Sequence, residues 1–431
     1  MDRFVCILIL CLFFQTTTHA QPEKRWIRHQ VALIASPTMK GRGYVDDGKE
    51  KAAKYLLRRY KEFGLIAVTP DSSYTQDYHF AVNTFPDVVS LSINKKELVP
   101  GEDFLVDAFS HSFDAKKIKI KTIDFSTIHD STDWQKTALT LKPQKFAYLF
   151  KNTAGFFKNT GYHPWGFSKE LPPGCFIFQE RGKMMWTVGT EQIPATVLYV
   201  QDSVLPKKIK KAAVHVNAKY ISAPQNLNKN IIGCVPGAVK DSFIVFTAHY
   251  DHLGMMGTDA LFAGASDNAS GTAMMLYLAE YFSQHPQHYT MVFIAFSGEE
   301  AGLKGSDYFV KHPLIALSNI KFLTNLDIMG DATDGITVVN ATEFPKQFEL
   351  LKQLNKKKNY LPEIRTRGKA ANSDHYHFTE AGVPAFFFYS NGGPGYYHDV
   401  FDTPSSLPLT NIDKAAKLFI EFGEKLNSLN P

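Results

Sequence analysis

The chain has 431 residues, 44% of them hydrophobic, so it can form two or three domains, or one large domain with an insertion, around a substantial core. Its formal net charge is only +5, whereas nucleic-acid binding needs a denser basic stripe. The lysine clusters at 207–211 and 356–358 are typical of solvated helix faces.

Residues 1–20 have the layout of a secretory signal peptide. The apolar core from Phe4 to Phe14 follows a basic residue, and the polar stretch after it ends at Ala20, a suitable cleavage residue. This core is too short to cross a bilayer, and Leu10 makes Cys11 a poor lipidation site. Because no later stretch reaches about 18 uninterrupted apolar residues, we predict export to a periplasm or to the outside, with no membrane span in the mature chain.

After the signal, "RWIRHQVALIASPTMKGRG" predicts a short helix and a turn. An amphipathic helix is then predicted in "DDGKEKAAKYLLRRYKEFGL", where Gly64 is a plausible C-cap. From residue 86 to residue 225 the segments become short, alternating and β-branched, with turn-rich pieces between them. We interpret 86–225 as a β-rich insertion without a catalytic motif of its own.

The mature chain keeps two cysteines, Cys175 and Cys234. They could pair in an oxidising compartment, or they could be two buried thiols, since their spacing forms no metal motif.

From residue 230 onward, strands and helices alternate. The runs "SFIVFTAH", "YTMVFIAF", "IKFLTNL" and "VPAFFFYS" are continuous apolar strands, and "ASGTAMMLYLAEYF" has a helical pattern. Continuous apolar strands separated by helices favour an α/β sheet that is covered on both faces.

Histidines and carboxylates follow several of these strands. In open α/β sheets, ligands bind beyond the carboxyl ends of the strands, so we expect these side chains to converge. Each one alone has an ordinary explanation as a helix cap or surface pair, but imidazole and carboxylate without thiolate suit a borderline cation such as zinc. Five loops offer such side chains, and a set of two histidines, two aspartates and one glutamate would suit the cation. The loops carry His249, Asp251 and His252, then Asp267, then Glu299 and Glu300, then Asp327, and finally His398 and Asp399.

Charge balance favours two ions over one. Asp267, Glu300 and Asp327 together carry −3, which two zinc ions and a bridging hydroxide would bring to zero, whereas one ion would leave buried carboxylates uncompensated. Two ions about 3.5–4 Å apart need a bridging ligand, for which Asp267 is the candidate. Asp251 stands two residues after His249 and could accept the other imidazole N–H.

The adjacent pair Glu299 and Glu300 ends the run "FIAFSGEE". Neighbouring side chains on an extended backbone diverge, so one carboxylate can ligate a metal while the other acts as a general base.

These residues, in order, resemble the co-catalytic di-zinc aminopeptidases of metallopeptidase family twenty-eight. The matching pieces are "NIIGCVPG", "TAHYDHLG", "GASDNASGTA", "FIAFSGEEAGLKGS", "TNLDIMG", "SDHYHFTEAGVP" and "YYHDVFDTP", with "LIASPTMKGRG" and "AAKYLLRRYKEFGL" near the start. The resemblance implies an α/β three-layer sandwich with a mixed, mostly parallel sheet. It also implies a discontinuous peptidase domain of 21–85 and 226–431, in which 86–225 occupies the place of a protease-associated insertion in some members.

The resemblance further implies a role for each matching residue. His249 and Asp327 would hold one zinc, Glu300 and His398 the other, and Asp267 would bridge them, with a cis peptide after it in many members. Glu299 would be the catalytic general base and Asp251 would orient His249. Cobalt or manganese could replace zinc.

The expected function is hydrolysis of N-terminal residues from peptide substrates. The alternatives are a single-zinc glutaminyl cyclase, a carboxypeptidase of the same fold, and a non-catalytic receptor-like relative. The complete set of five ligands argues against the cyclase and the receptor, while the carboxypeptidase stays open. Tyr389, Tyr396 and Phe378 are candidates for lining a pocket for an apolar first side chain, with ordinary packing as the alternative.

Overall fold

The computed structural model describes residues 22–69 and 71–427, so the predicted signal peptide lies outside the described residues. The α-helices are α1 (Pro22–Ile34), α2 (Gly48–Glu62), α3 (Ser131–Ala138), α4 (Thr153–Thr160), α5 (Pro164–Lys169), α6 (Gly271–Gln284), α7 (Lys304–Lys311), α8 (Pro345–Lys358), α9 (His375–Glu380) and α10 (Ile412–Leu426). Within this described part of the chain, no helix has the length and apolar character that spanning a membrane requires.

The strands are β1 (Ile66–Ala67), β2 (Thr75–His79), β3 (Val82–Thr84), β4 (Ser90–Ile93), β5 (Lys96–Leu98), β6 (Phe104–Val106), β7 (Phe113–Asp124), β8 (Phe146–Lys151), β9 (Cys175–Glu180), β10 (Thr196–Gln201), β11 (Lys211–Val216), β12 (Lys219–Ile221), β13 (Leu227–Val235), β14 (Val239–His249), β15 (Gly254–Met256), β16 (Ala260–Phe262), β17 (Tyr289–Phe296), β18 (Ile320–Leu326), β19 (Ile336–Val339), β20 (Ile364–Thr366) and β21 (Ala385–Ser390).

One large sheet has the strand order β1-β13-β17-β14-β18-β21-β19-β20, with β2 also paired to β13. The neighbours β17, β14, β18 and β21 run parallel, as do β19 and β20, whereas the remaining ladders are antiparallel. The predicted mixed α/β sheet is confirmed, and its parallel part is concentrated at the centre. There the carboxyl ends of β17, β14 and β18 lie side by side.

Both faces of this sheet are buried, which explains the continuous apolar strands. Along β17, Met291, Phe293 and Ala295 face the core formed with α1, α2, α6, α8 and α10. The alternate residues Val292, Ile294 and Phe296 face a second core, which includes Phe309 of α7 and Phe378 of α9. Side chains alternate across a strand, so a strand covered by helices on both sides has no polar face. The three predicted layers are therefore present.

The segment between β3 and β12 forms a second sheet, with the order β5-β4-β11-β7-β8-β9-β10-β6. One face packs on the aromatic side chains of α3, α4 and α5, such as Trp134, Phe156 and Phe167. The other face shares a core with β15, β16 and Ala301 of the large-sheet half of the chain. We keep the name insertion for residues 86–225. The second face of the insertion's sheet therefore shares its core with Ala301, the residue that follows Glu300.

The two mature cysteines do not pair in this structure. Cys175 lies buried in β9 of the insertion, and Cys234 lies in β13 of the large sheet. The sequence left open a disulfide or two unpaired thiols, and the structure has two unpaired thiols.

Candidate metal centre

The strand ends and loops bring all five predicted ligands to one place. His249 is the last residue of β14, Asp327 directly follows β18, and Glu300 lies in the turn after β17. Asp267 comes from the turn before α6, and His398 from the loop after β21. Because β14 lies between β17 and β18, the polar residues that end these apolar strands meet at the same edge of the sheet.

Asp267 lies between two imidazoles. Its Oδ1 is 3.3 Å from Nε2 of His249, and its Oδ2 is 3.3 Å from Nε2 of His398. The His249 nitrogen is also 3.2 Å from Oδ1 of Asp327, and the His398 nitrogen is 3.0 Å from Oε2 of Glu300. The five residues therefore form two adjacent groups that share the carboxylate of Asp267.

These distances and the donor set fit zinc. Two ligand atoms on a tetrahedral zinc, each at about 2.0–2.1 Å, are separated by about 3.3 Å, close to the 3.0–3.3 Å found between the paired ligand atoms. Among the described residues, the buried Nε2 of His398 has no hydrogen-bond partner despite its two carboxylate neighbours. A buried nitrogen without a hydrogen bond is costly, and a metal ion would satisfy it.

The local charges shift the pKa of His398 as expected beside carboxylates. Burial alone would lower it, but Glu300 and Asp267 outweigh that effect and raise the pKa of His398 to about 11. The site is thus built to hold positive charge.

The turn "SGEEAG" presents the two glutamates differently. The Glu300 carboxylate is inside the site, where Oε1 contacts Nδ1 of His252 at 2.6 Å. Glu299 is slightly more exposed, and its Oε2 lies 4.0 Å from Nε2 of His249. Burial, together with Asp327 and Glu300, raises the pKa of Glu299 well above its usual range, despite the opposing effect of His249. Glu299 is therefore close to the centre without belonging to either ligand group that shares Asp267.

Asp251 lies beneath this turn. Nδ1 of His249 is 3.2 Å from the backbone carbonyl of Asp251 and 3.8 Å from its carboxylate. The carboxylate instead accepts hydrogen bonds from the backbone N–H groups of Glu299, at 3.3 Å, and Glu300, at 3.4 Å. Asp251 thus contacts both the imidazole and the glutamate turn, but the backbone carbonyl is the nearer acceptor for the imidazole N–H.

Further polar residues hold the ligands, and sequence patterns did not single them out. Oγ of Ser373 donates to Oδ2 of Asp327 at 2.9 Å, and Oγ is itself held by Asn325 at 2.8 Å. Asp402 accepts from the backbone N–H of Asp267 at 3.1 Å. The cis peptide expected after the bridging aspartate is present between Asp267 and Asn268.

Arg42 is a fully buried arginine that connects the loops of the site. Its Nε donates to the carbonyl of Tyr250 at 2.7 Å, and its Nη atoms donate to Ala263, Gly264 and Asp267 at 2.6, 2.9 and 3.1 Å. Burial lowers its pKa to about 10, an effect that nearby carboxylates partly oppose, so it stays charged at neutral pH. In the sequence, Arg42 stands in the early segment "LIASPTMKGRG" that resembles the family, but no pattern there indicated its contacts.

The insertion contributes directly to the centre. The carbonyl of Trp186 lies 2.8 Å from Nδ1 of His398, and the Trp186 N–H donates to the His398 carbonyl at 3.1 Å. Nζ of Lys183 donates to the carbonyls of Gly395 and Tyr397 at 2.7 and 2.5 Å. A partner on the second ring nitrogen fixes the orientation of a metal-ligating histidine, so the insertion orients His398.

A cavity of about 730 Å³ opens between the insertion and the glutamate turn. The turn borders it with Glu300–Gly302, and the insertion with residues that include Trp186. For Phe378 the alternative of ordinary packing holds, because Phe378 is fully buried against Phe296 and Phe309. Aromatic residues that fall in an apolar core pattern, such as Phe378 of α9, cannot be told from pocket residues by sequence alone.

Tyr389 is half-buried beside Phe387. Tyr396 borders a separate cleft of about 70 Å³ that Asp267 also lines. Tyr389, Tyr396 and Phe378 are not among the residues that line the large cavity. Apart from the glutamate turn, its lining comes from the insertion.

Residues 230–423, just under half of the chain, match the model of Peptidase family M28, so this segment is similar to that family. Aminopeptidase YwaD of Bacillus subtilis is 34% identical over 179 residues, which are 37% of this chain and 35% of that protein. A probable zinc metalloprotease of Pyrenophora tritici-repentis is 34% identical over 107 residues, or 24% of this chain and 22% of that protein. The matched segments thus span about a third or less of the length of these two relatives.

The fold extends further than these sequence matches. BSAP, a zinc aminopeptidase from Bacillus subtilis, superposes with a TM-score of 0.68 and 18% identity, over 93% of this chain and 95% of that chain. An aminopeptidase from Aneurinibacillus sp. strain AM-1 superposes with a TM-score of 0.61 and 18% identity, over 93% and 92%. At this identity the likeness concerns the fold alone, and it includes the insertion.

Proposed function

We propose that this protein is an exported, zinc-dependent aminopeptidase that removes N-terminal residues from peptides. The observation that carries the proposal is the carboxylate of Asp267, which has one oxygen 3.3 Å from the metal-binding nitrogen of each of two histidines. The match of residues 230–423 to the model of Peptidase family M28 and the aminopeptidase names of the relatives support it.

His249 and Asp327 would hold one zinc, Glu300 and His398 the second, and Asp267 both. Bound at this place, two zinc ions would supply Lewis acidity to the scissile carbonyl and lower the pKa of water. The chemistry of the donor set also suits cobalt or manganese.

Glu299 is the proposed general base. It lies close to His249 but outside the two ligand groups, and its raised pKa suits a group that must both accept and release a proton. It would take a proton from the attacking water and deliver it to the leaving amine. Asp251 supports this position, because its carboxylate holds the backbone N–H of Glu299.

The domain organisation follows the same proposal. Residues 21–85 and 226–431 would form the peptidase domain. Residues 86–225 would form the insertion, which is protease-associated-like in its position along the chain. Residues 1–20 would direct export to a periplasm or to the outside and then be removed.

The test is a metal count on purified mature protein, with hydrolysis of leucyl and glutaminyl chromogenic amides measured in parallel. We expect two zinc ions per chain and leucyl release that a chelator abolishes. One zinc with cyclisation of N-terminal glutamine would move the protein to the cyclase class. Cleavage of a peptide with an acetylated N-terminus, from its carboxyl end, would make it a carboxypeptidase.

Replacing the base separates catalysis from metal binding. Glu299→Gln should lower kcat by about 10²–10⁴ while the zinc content stays near two. Glu97→Gln, at an exposed position of the insertion, is the matched control and should leave kcat unchanged. Near-normal turnover by Glu299→Gln would refute the assignment.

A further inference from the structure

The cavity between the insertion and the glutamate turn contains several charged side chains, and most have partners. Asp107 accepts from the hydroxyl of Tyr199 at 2.9 Å and from the backbone N–H of Phe109 at 2.9 Å. Glu191 pairs with Lys169 at 2.5 Å. Lys183 is held by the carbonyls described above. These groups are therefore already satisfied.

Glu180 is different. It ends β9 and borders the same cavity, half-buried. Within residues 22–69 and 71–427, its carboxylate has no hydrogen bond or ion pair. The neighbouring cation, Arg181, pairs instead with Asp202 at 3.4 Å. Burial raises the pKa of Glu180. An unpaired carboxylate in a partly desolvated wall costs free energy that a cationic ligand would recover.

The position of the cavity indicates where that cation comes from. One end of the lining is the turn Glu300–Gly302, directly beside the proposed metal centre, and another part is Trp186, whose backbone holds His398. A peptide bound at the centre would place its neighbouring residues in this space. A volume of about 730 Å³ is in the range of pockets that enclose a whole ligand, roughly 300–1,000 Å³.

We propose that the cavity binds the substrate peptide beyond its first residue and that Glu180 pairs with a lysine or arginine side chain of that peptide. Glu180 is then a specificity-determining residue that the insertion supplies. The inference rests on the proposed peptidase function and deepens it, because it names basic peptides as the preferred class.

The experiment uses zinc-loaded full mature protein and tetrapeptides that begin with leucine. Lysine is placed at the second, third or fourth position and compared with norleucine, which has a similar length without the charge. We expect lysine to raise kcat/KM about tenfold at one position, a preference that weakens with added salt. Glu180→Gln should reduce the lysine-to-norleucine ratio to near one.

Glu191→Gln is the matched control, because this carboxylate borders the same cavity but is already paired with Lys169. It should keep the preference for lysine. An unchanged ratio in Glu180→Gln, or a wild-type protein without preference at any position, would overturn the inference.

A failure of the proposed function gives a separate result. If the wild-type protein hydrolyses none of the peptides, titration calorimetry with the same peptides tests the cavity alone. Tighter binding of one lysine peptide by wild type, lost in Glu180→Gln, would sustain the cation site without the peptidase. Equal binding of lysine and norleucine peptides would overturn the cation site as well.

Discussion

Arg42 provides a quantitative test of how the site is held together. The side chain is fully buried and donates four hydrogen bonds of 3.1 Å or less to carbonyls of the loops that carry His249 and Asp267. Arg42→Lys keeps the positive charge but replaces a planar fork of five N–H donors by three donors on one nitrogen. The substitution therefore removes donors and leaves the charge balance of the site intact.

The expected loss follows from the number of bonds. A hydrogen bond to a charged group contributes about 1.5–3 kcal/mol net, and lysine cannot reach all four carbonyls because they surround a planar group. Loss of one or two bonds lowers the free energy of unfolding by about 2–5 kcal/mol. Arg42→Met would lose all four bonds, about 6–12 kcal/mol, which approaches the whole stability of a domain. The lysine variant is therefore the informative one.

The assay is urea unfolding of the metal-free protein, followed by circular dichroism and tryptophan fluorescence. Arg28→Lys is the matched control, because Arg28 also donates to two carbonyls, at 3.3 and 2.8 Å, but from an exposed position. It should change the stability by less than about 0.5 kcal/mol. If Arg42→Lys unfolds at the same urea concentration as wild type, the buried fork does not hold the loops and the reasoning fails.

Two further variants test other parts of the structure. Lys183→Met should weaken binding of the zinc that we propose at His398 about tenfold in a chelator-competition titration, and Lys183→Arg should not. Its control is Lys158→Met, which changes an exposed lysine of the insertion. An equal loss of affinity for both zinc ions would indicate a general loss of structure at the site instead. Lys49→Met tests a buried amine whose pKa burial lowers to about 8. Between about pH 8 and pH 10 the folded state releases this proton before the unfolded state does, so the stability of wild type relative to the variant should rise with pH by about 2 kcal/mol. A difference in unfolding midpoint that stays constant over this range would contradict the lowered pKa.

The residues that the sequence identified share a local signature. Apolar runs such as "YTMVFIAF" and "IKFLTNL" coincide with β17 and β18, because a strand covered on both faces needs apolar residues at every position. The polar residues that end these runs stand out against them. The sequence therefore indicates that His249, Glu300 and Asp327 lie at one edge of the sheet.

Other features depend on contacts between distant parts of the chain and have no such signature. Arg42 bonds to carbonyls more than 200 positions away, and Trp186 of the insertion meets His398 across 212 positions. Backbone carbonyls are present at every residue, so no sequence pattern marks the ones that a buried arginine or histidine will use. Within the described part of the chain, Glu180 likewise has no ion-pair partner only because, in the folded insertion, the neighbouring Arg181 pairs with Asp202. Local patterning thus determined the strands and the candidate metal ligands at their ends. The tertiary structure decided which distant groups hold those candidate ligands in place and which side chains line the neighbouring cavity.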